Sequence, residues 1–162
     1  MVVEKELIRE IFGNSSVDTA LEILCDEGHI FCSMAKSAET IETDVKKAYL
    51  EYQNTDCEKS LRHMIFCGNP CTFLEKKIDE GVRPDLIVVN TDRIRKAGEL
   101  WKLIGQLMPS RVILGYREPG NGIYNKQLMV KNGFQIMKQE VKINDAISEK
   151  FCVGSSYKCN SD

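Results

Sequence analysis

Between positions 61 and 143, three short apolar runs, Met64-Ile65-Phe66, Leu86-Ile87-Val88-Val89 and Val112-Ile113-Leu114, are each followed by a polar or glycine-containing turn and then an amphipathic segment. Runs without polar alternation make strands that are apolar on both faces. Strands of that kind, separated by helices, build a parallel sheet with helices on each side. The pattern predicts a three-layer α/β domain with a mainly parallel sheet of five or six strands. Open sheets of this type gather their ligands beyond the carboxyl ends of the strands, so the expected site is assembled from segments 32–37, 68–72, 90–93 and 116–121.

The length of 162 residues fits one domain over 1–162, with a helical portion over 1–28 packed on it. The 22 basic and 24 acidic residues nearly cancel, which gives no long-range attraction to phosphate backbones or anionic lipid, so general nucleic-acid binding is not expected. The opening Met-Val-Val-Glu-Lys-Glu is charged at once and no apolar run approaches membrane-spanning length, which predicts a cytoplasmic protein. Seven cysteines cannot all pair within one chain, and Cys25, Cys32, Cys67 and Cys152 lie in or beside apolar runs. Free thiols in a reducing compartment are expected.

Along the chain, apolar positions at 3, 7, 8, 11 and 12 predict a first helix that Gly13-Asn14 ends. Val17, Ala20, Leu21 and Leu24 predict a second helix, capped by Ser15 or Ser16 and stopped by Gly28. A short strand is expected over 29–34 and a helix over 38–52, from Ile41, Val45, Ala48, Tyr49 and Tyr52 at helical spacing. The second half is more regular: strand 62–67, helix 72–80 closed by Gly81, strand 85–89, helix 96–107 broken by Pro109, and strand 111–116. A helix then runs to Lys131, and strand 134–143 pairs with 151–157 as an antiparallel edge hairpin.

Several constellations carry candidate chemistry. Gly68, Asn69, Cys71 and Thr72, around Pro70, join a strand to a helix, where backbone amides are placed to hold a phosphate or carboxylate of a cofactor; the same turn is also ordinary loop punctuation. Asn90 and Asp92 emerge after the most buried strand and are the candidate catalytic or ligand-contacting pair, with helix capping as the other role open to Asp92. Arg117, Glu118 and Asn121 are candidate substrate-binding residues in the next turn, or a solvated surface group. His63, Cys67 and Cys71 fall at spacings of four, but a structural zinc site needs four ligands with a close pair, so no metal is expected. The two histidines, His29 and His63, lie beside apolar runs and read as structural. Trp101, with Leu100, Leu103 and Ile104, marks a core helix or, as the sharper alternative, a homodimer surface.

From Pro84 onward the chain resembles the second half of a class I S-adenosylmethionine-dependent methyltransferase. The likeness is carried by Asp85-Leu86-Ile87-Val88-Val89 followed by Asn90-Thr91-Asp92, by Leu107-Met108-Pro109, by Val112-Ile113-Leu114, and by Lys131-Asn132-Gly133-Phe134 leading into a terminal hairpin. The resemblance implies a Rossmann-like fold with S-adenosylmethionine as cofactor, with residues 90–92 bordering cofactor and substrate. The family's glycine-rich loop, an acidic residue followed by GxGxG after the first strand, is absent. A second likeness is to the acyl-CoA N-acetyltransferases, where Arg95-Lys96-Ala97-Gly98 with Leu103-Ile104 is similar to the pyrophosphate-binding turn and its helix, and Met129-Val130-Lys131-Asn132-Gly133-Phe134 to the closing helix and strand. The expected function is a methyltransferase-like domain that binds a small nucleotide-bearing ligand at the strand ends. Its rival is a non-enzymatic binding or assembly module of the same fold that presents the Trp101 helix to a partner.

Overall fold

The computed structural model describes residues 17–25, 35–54, 63–142 and 149–157. Seven strands form one sheet: β1 (Val17–Ile23), β2 (Ala35–Glu42), β3 (His63–Cys67), β4 (Leu86–Asn90), β5 (Arg111–Tyr116), β6 (Phe134–Lys142) and β7 (Lys150–Ser156). The helices are α1 (Val45–Asn54), α2 (Pro70–Asp79), α3 (Ala97–Leu107) and α4 (Pro119–Lys131), with a short 3-10 turn at Thr91–Arg93. The spatial order is β3-β2-β1-β4-β5-β7-β6. The first five strands are parallel, and β7 inserts antiparallel between β5 and β6.

The connections run one way along the sheet from β1 to β3 and the other way from β4 to β5, so the direction of winding reverses between β1 and β4. Right-handed crossovers then place α1 and α3 on opposite faces. One face carries Leu21, Ile23, Ile41, Ile87, Val89, Val112 and Leu114 against Leu74 of α2, Leu100, Trp101 and Ile104 of α3, and Met129 of α4. The other gathers Ala20, Ala38, Leu86, Val88, Ile113 and Val153. At the amino end of the sheet, Asp85 Oδ2 accepts from the Asp18 and Thr19 amides at 2.7 and 3.1 Å, which pins the start of β1 beside β4.

The second-half elements fall within two residues of their predicted bounds. The first half differs. Residues 17–23 form the central strand β1, where a helix was expected, and the helix expected over 38–52 is a strand to Glu42 and a helix only from Val45. A strand flanked on both edges and covered on both faces needs no alternation, so the polar residues of β1 and β2 disguised them. Among the described residues the sheet has seven strands, where five or six were expected. The helix expected over 3–12 and the strand expected over 29–34 lie outside the described residues.

A strand-end cleft and its interior ion pair

The carboxyl ends of β1 to β4 open onto a cleft of about 620 Å³, lined by Leu24, Thr43, Asn69, Pro70, Cys71, residues 92–96 and Leu100. Each wall follows from local chain chemistry. Asn69 caps α2, its side-chain oxygen accepting from the amides of Cys71 (2.8 Å) and Thr72 (3.2 Å), and Pro70 opens the helix. Asn90 accepts from the Asp92 amide at 3.2 Å and so shapes the 3-10 turn, while the Thr91 hydroxyl donates to the Gly115 carbonyl at 2.9 Å. Arg95 and Lys96 are exposed on the rim, just ahead of α3.

Behind the cleft lies an ion pair that crosses three strand ends, with Arg93 as its member in the lining. Glu42, fully buried at the end of β2, faces the Arg93 guanidinium in a bidentate pair, with Arg93 Nη1 2.7 Å from Oε2 and Nη2 bonded to Oε1. Arg93 Nη1 also donates to the Leu24 carbonyl at 3.1 Å. Oε1 of Glu42 accepts in addition from the amides of Thr43 (3.0 Å) and Asp44 (3.2 Å). One guanidinium thus ties together the ends of β1, β2 and β4, at the point where the winding reverses.

Leu24 forms the wall beside this pair. Its φ of 58° lies in the left-handed region, which costs a residue with a Cβ on the order of 1–2 kcal/mol, yet its side chain is buried in the core. The sequence here reads Glu22-Ile23-Leu24-Cys25-Asp26-Glu27-Gly28, with Leu24 two places after an acidic residue, where the pattern of the resembled family opens its glycine-rich loop. Glu22 is the acidic residue of that pattern. It is buried within the sheet, where its Oε1 accepts from the Thr40 hydroxyl at 2.9 Å. Thr40 has one proton and gives it to Glu22, so the 2.6 Å contact between Thr40 Oγ1 and His63 Nε2 has the histidine as donor.

Of the sequence-predicted site residues, Asn69, Cys71 and Asp92 come together in the cleft wall. The Cys71 and Thr72 amides that were to hold an anion are already satisfied by Asn69, and the Gly68 amide donates to the Glu42 carbonyl at 2.9 Å. Asp92 accepts from the amides of Arg117 (2.8 Å) and Glu118 (3.4 Å) and from Asn121 Nδ2 (3.0 Å). It anchors the turn after β5, and does not cap the helix that follows it. Arg117 and Glu118 point their side chains to solvent, and neither they nor Asn121 line the cleft. Segment 32–37 is a correction: its described part, 35–37, begins β2 at the opposite end of the sheet, because Ala35 pairs with Val17.

Cys71 is a poor nucleophile in this setting. Burial, then the carboxylates of Glu99 and Glu75, push its thiol above the ordinary value of 9.0, against the opposing pull of Lys96. His63 and Cys67 share a face, but His63 Nε2 is committed to Thr40 and Cys67 Sγ donates to the Thr43 carbonyl at 3.7 Å. Among the described residues no three His, Cys, Asp or Glu side chains stand close enough to share a metal ion. Trp101 takes the core place: the ring is fully buried, donates to Asn125 Oδ1 at 2.7 Å and packs edge-on against Phe134 at 6.5 Å. The exposed side of α3 carries Glu99, Lys102 and Gln106.

The sequence pattern gave no site role to Leu24 or Glu42, with Leu24 read only as part of a helical stripe and Arg93 only as the end of a turn. The signal was present: read as a strand, 17–23 puts Leu24 at its carboxyl end, and Glu42 follows Glu22 by about the twenty residues that separate the glycine turn of a dinucleotide-binding sheet from its ribose carboxylate.

No family model and no curated protein matches the sequence. Solved structures do match the fold. The chain is similar over 95% of its length to 85% of the N-methyltransferase NodS of Bradyrhizobium japonicum, solved with S-adenosyl-L-homocysteine, at a TM-score of 0.66 and 11% identity. It is similar over 95% to 87% of a TehB-like SAM-dependent methyltransferase of Corynebacterium glutamicum, at 0.66 and 12%. It is also similar over 87% to 67% of the fibrillarin pre-rRNA processing protein of Methanococcus jannaschii, at 0.65 and 14%. The acetyltransferase alternative fails on topology, since that family joins as a hairpin the strands that α2 separates here as members of one parallel sheet. With seven strands in the order β3-β2-β1-β4-β5-β7-β6 and only β7 antiparallel to its neighbours, the chain has the fold of the class I S-adenosylmethionine-dependent methyltransferases.

Proposed function

We propose that the chain is a binding module of methyltransferase fold that takes a small, phosphate-bearing anionic ligand at the rim of the strand-end cleft and performs no methyl transfer. The observation that carries this reading is the state of the polar groups at the strand ends. Asn90 shapes its own turn, Asp92 is spent on Arg117, Glu118 and Asn121, and Glu42 is spent on Arg93. A carboxylate with its acceptor positions filled is not poised as a general base. The charges that remain exposed on the rim belong to Arg95 and Lys96, which favour a phosphate-bearing ligand over a cationic one.

The test is a thermal-shift series on the reduced protein with ATP, GTP, acetyl-CoA, S-adenosylmethionine and S-adenosylhomocysteine. A ligand present at one hundred times its dissociation constant adds about 2.7 kcal/mol, which raises Tm by roughly 5–10 °C for a chain of this size. Stabilisation by a phosphate-bearing member, lost in the Arg95→Ala/Lys96→Ala variant, supports the reading. A flat series across all five, or turnover of S-adenosylmethionine with any acceptor, refutes it.

A further inference from the structure

We propose that this chain has closed its own S-adenosylmethionine seat, with Arg93 occupying it and Leu24 standing where a glycine turn would admit the ligand. The inference rests on reading the strand-end cleft as the ligand seat, and it adds the reason that the cofactor of the fold's solved relatives does not enter. In doubly wound sheets a nucleotide ligand lies across the switch in winding direction. A glycine turn after the first strand lets the ligand approach the backbone, and a carboxylate after the second strand receives the ribose hydroxyls. Both provisions are altered here.

At the first position a leucine replaces the glycine and keeps the left-handed backbone, with φ 58°. The conformation that suits glycine is retained at a residue that carries a Cβ, and Leu24 lines the cleft where a ligand would meet bare backbone. At the second position Glu42 is present but saturated. Oε1 accepts from Arg93 Nη2 and from the Thr43 and Asp44 amides, and Oε2 from Arg93 Nη1. Two ribose hydroxyls would have to displace a bidentate guanidinium from a buried carboxylate. They would also have to strand the Leu24 carbonyl, which shares the same Nη1 donor. The residues present therefore do not fit the group, and the guanidinium stands as an internal occupant at the switch point.

Isothermal titration with S-adenosylhomocysteine tests this on the wild type and on Leu24→Gly/Arg93→Ala. The wild type should give no binding heat at millimolar ligand. The double variant should gain at least about tenfold in affinity, the step that 1.4 kcal/mol produces. Binding to the wild type at micromolar ligand overturns the proposal, and so does a folded double variant that gains nothing. Because removing Arg93 exposes Glu42 to misfolding, a second measurement uses the wild type alone. Phenylglyoxal modification mapped by peptide mass should spare Arg93 while labelling the exposed Arg95 and Arg117, with no change on adding S-adenosylhomocysteine. Labelling of Arg93 at the rate of Arg95 overturns the proposal. A parallel titration with ATP separates the two readings: its failure counts against the binding module, while the S-adenosylhomocysteine result alone decides closure.

Discussion

Replacing Arg93 by alanine should destabilise the protein by about 3–5 kcal/mol, the range for breaking a buried ion pair by deleting one partner. The magnitude follows from Glu42, which is 0% exposed and would be left with only the Thr43 and Asp44 amides in place of the guanidinium. Those two amides place the expected cost near ~3 kcal/mol, because they retain part of the carboxylate's solvation. For a chain of this size that corresponds to a fall in Tm of roughly 6–12 °C. Removing both charges together, in Glu42→Gln/Arg93→Met, should recover most of the loss and leave the protein within about 1–2 kcal/mol of wild type, since no unpaired charge remains buried. Urea unfolding followed by far-UV circular dichroism measures all four corners of this cycle, with equal m-values as the check that unfolding stays comparable. Raising salt should change the wild-type value little, as the pair is shielded from mobile ions. A single-variant cost below ~1 kcal/mol, or a double variant as costly as the sum of the singles, refutes the reasoning.

At Leu24, glycine should be the better small replacement: Leu24→Gly should unfold at higher urea than Leu24→Ala by about 1 kcal/mol, because both lose the buried side chain but only alanine keeps the left-handed strain. Equal or reversed stabilities would show that the turn relaxes. On α3, Gly98→Ala should raise stability by up to ~1 kcal/mol, as a new Cβ meets open space. Gly105→Ala should lower it by ~1–3 kcal/mol, because its Cβ would lie 2.8 Å from the Asn132 carbonyl oxygen, a backbone atom that cannot swing aside; like signs in thermal melts would contradict the packing described. Burial holds the Cys152 thiol at about 11 against an ordinary 9.0, with Lys126 pulling the other way, so the unfolded chain loses this proton at lower pH than the folded one. The resulting ~2–3 kcal/mol is fully present below pH 9 and fades as pH rises towards 11; the wild-type loss over that interval should exceed that of Cys152→Ala, and parallel curves would refute it.

The legible half of the fold is the half whose burial is written locally. The Pro70 opening and Gly81 stop around α2, the Leu100, Leu103, Ile104 and Leu107 stripe of α3, and the apolar runs of β4 and β5 each state which face is covered without reference to another segment. β1 and β2 could not be read this way. Val17, Ala20, Leu21 and Leu24 do fall at helical spacing, but β2 on one edge and β4 on the other supply the burial that makes a strand of them. Glu22 and Thr40 look like surface residues until the register sets them opposite each other. The same limit applied to the site. Asn69 and Asp92 can be placed beside the cleft from sequence because their turns follow recognisable strands, whereas Leu24 and Glu42 stand at the ends of two strands whose pattern reads as helix.

What the amino-acid order determined by itself is the three-layer α/β class, the second-half elements, and the rule that ligands belong at the carboxyl ends of the strands, since period, capping and turn chemistry act over a few residues. Only the tertiary structure decided the strand order, the central place of β1, and the fate of the site. Asp92 is turned to hold a loop 25 residues on, and Arg93 reaches 51 residues back to Glu42. Those pairings depend on which strand ends become neighbours, and neighbourhood across a sheet is set by the packing of the whole chain.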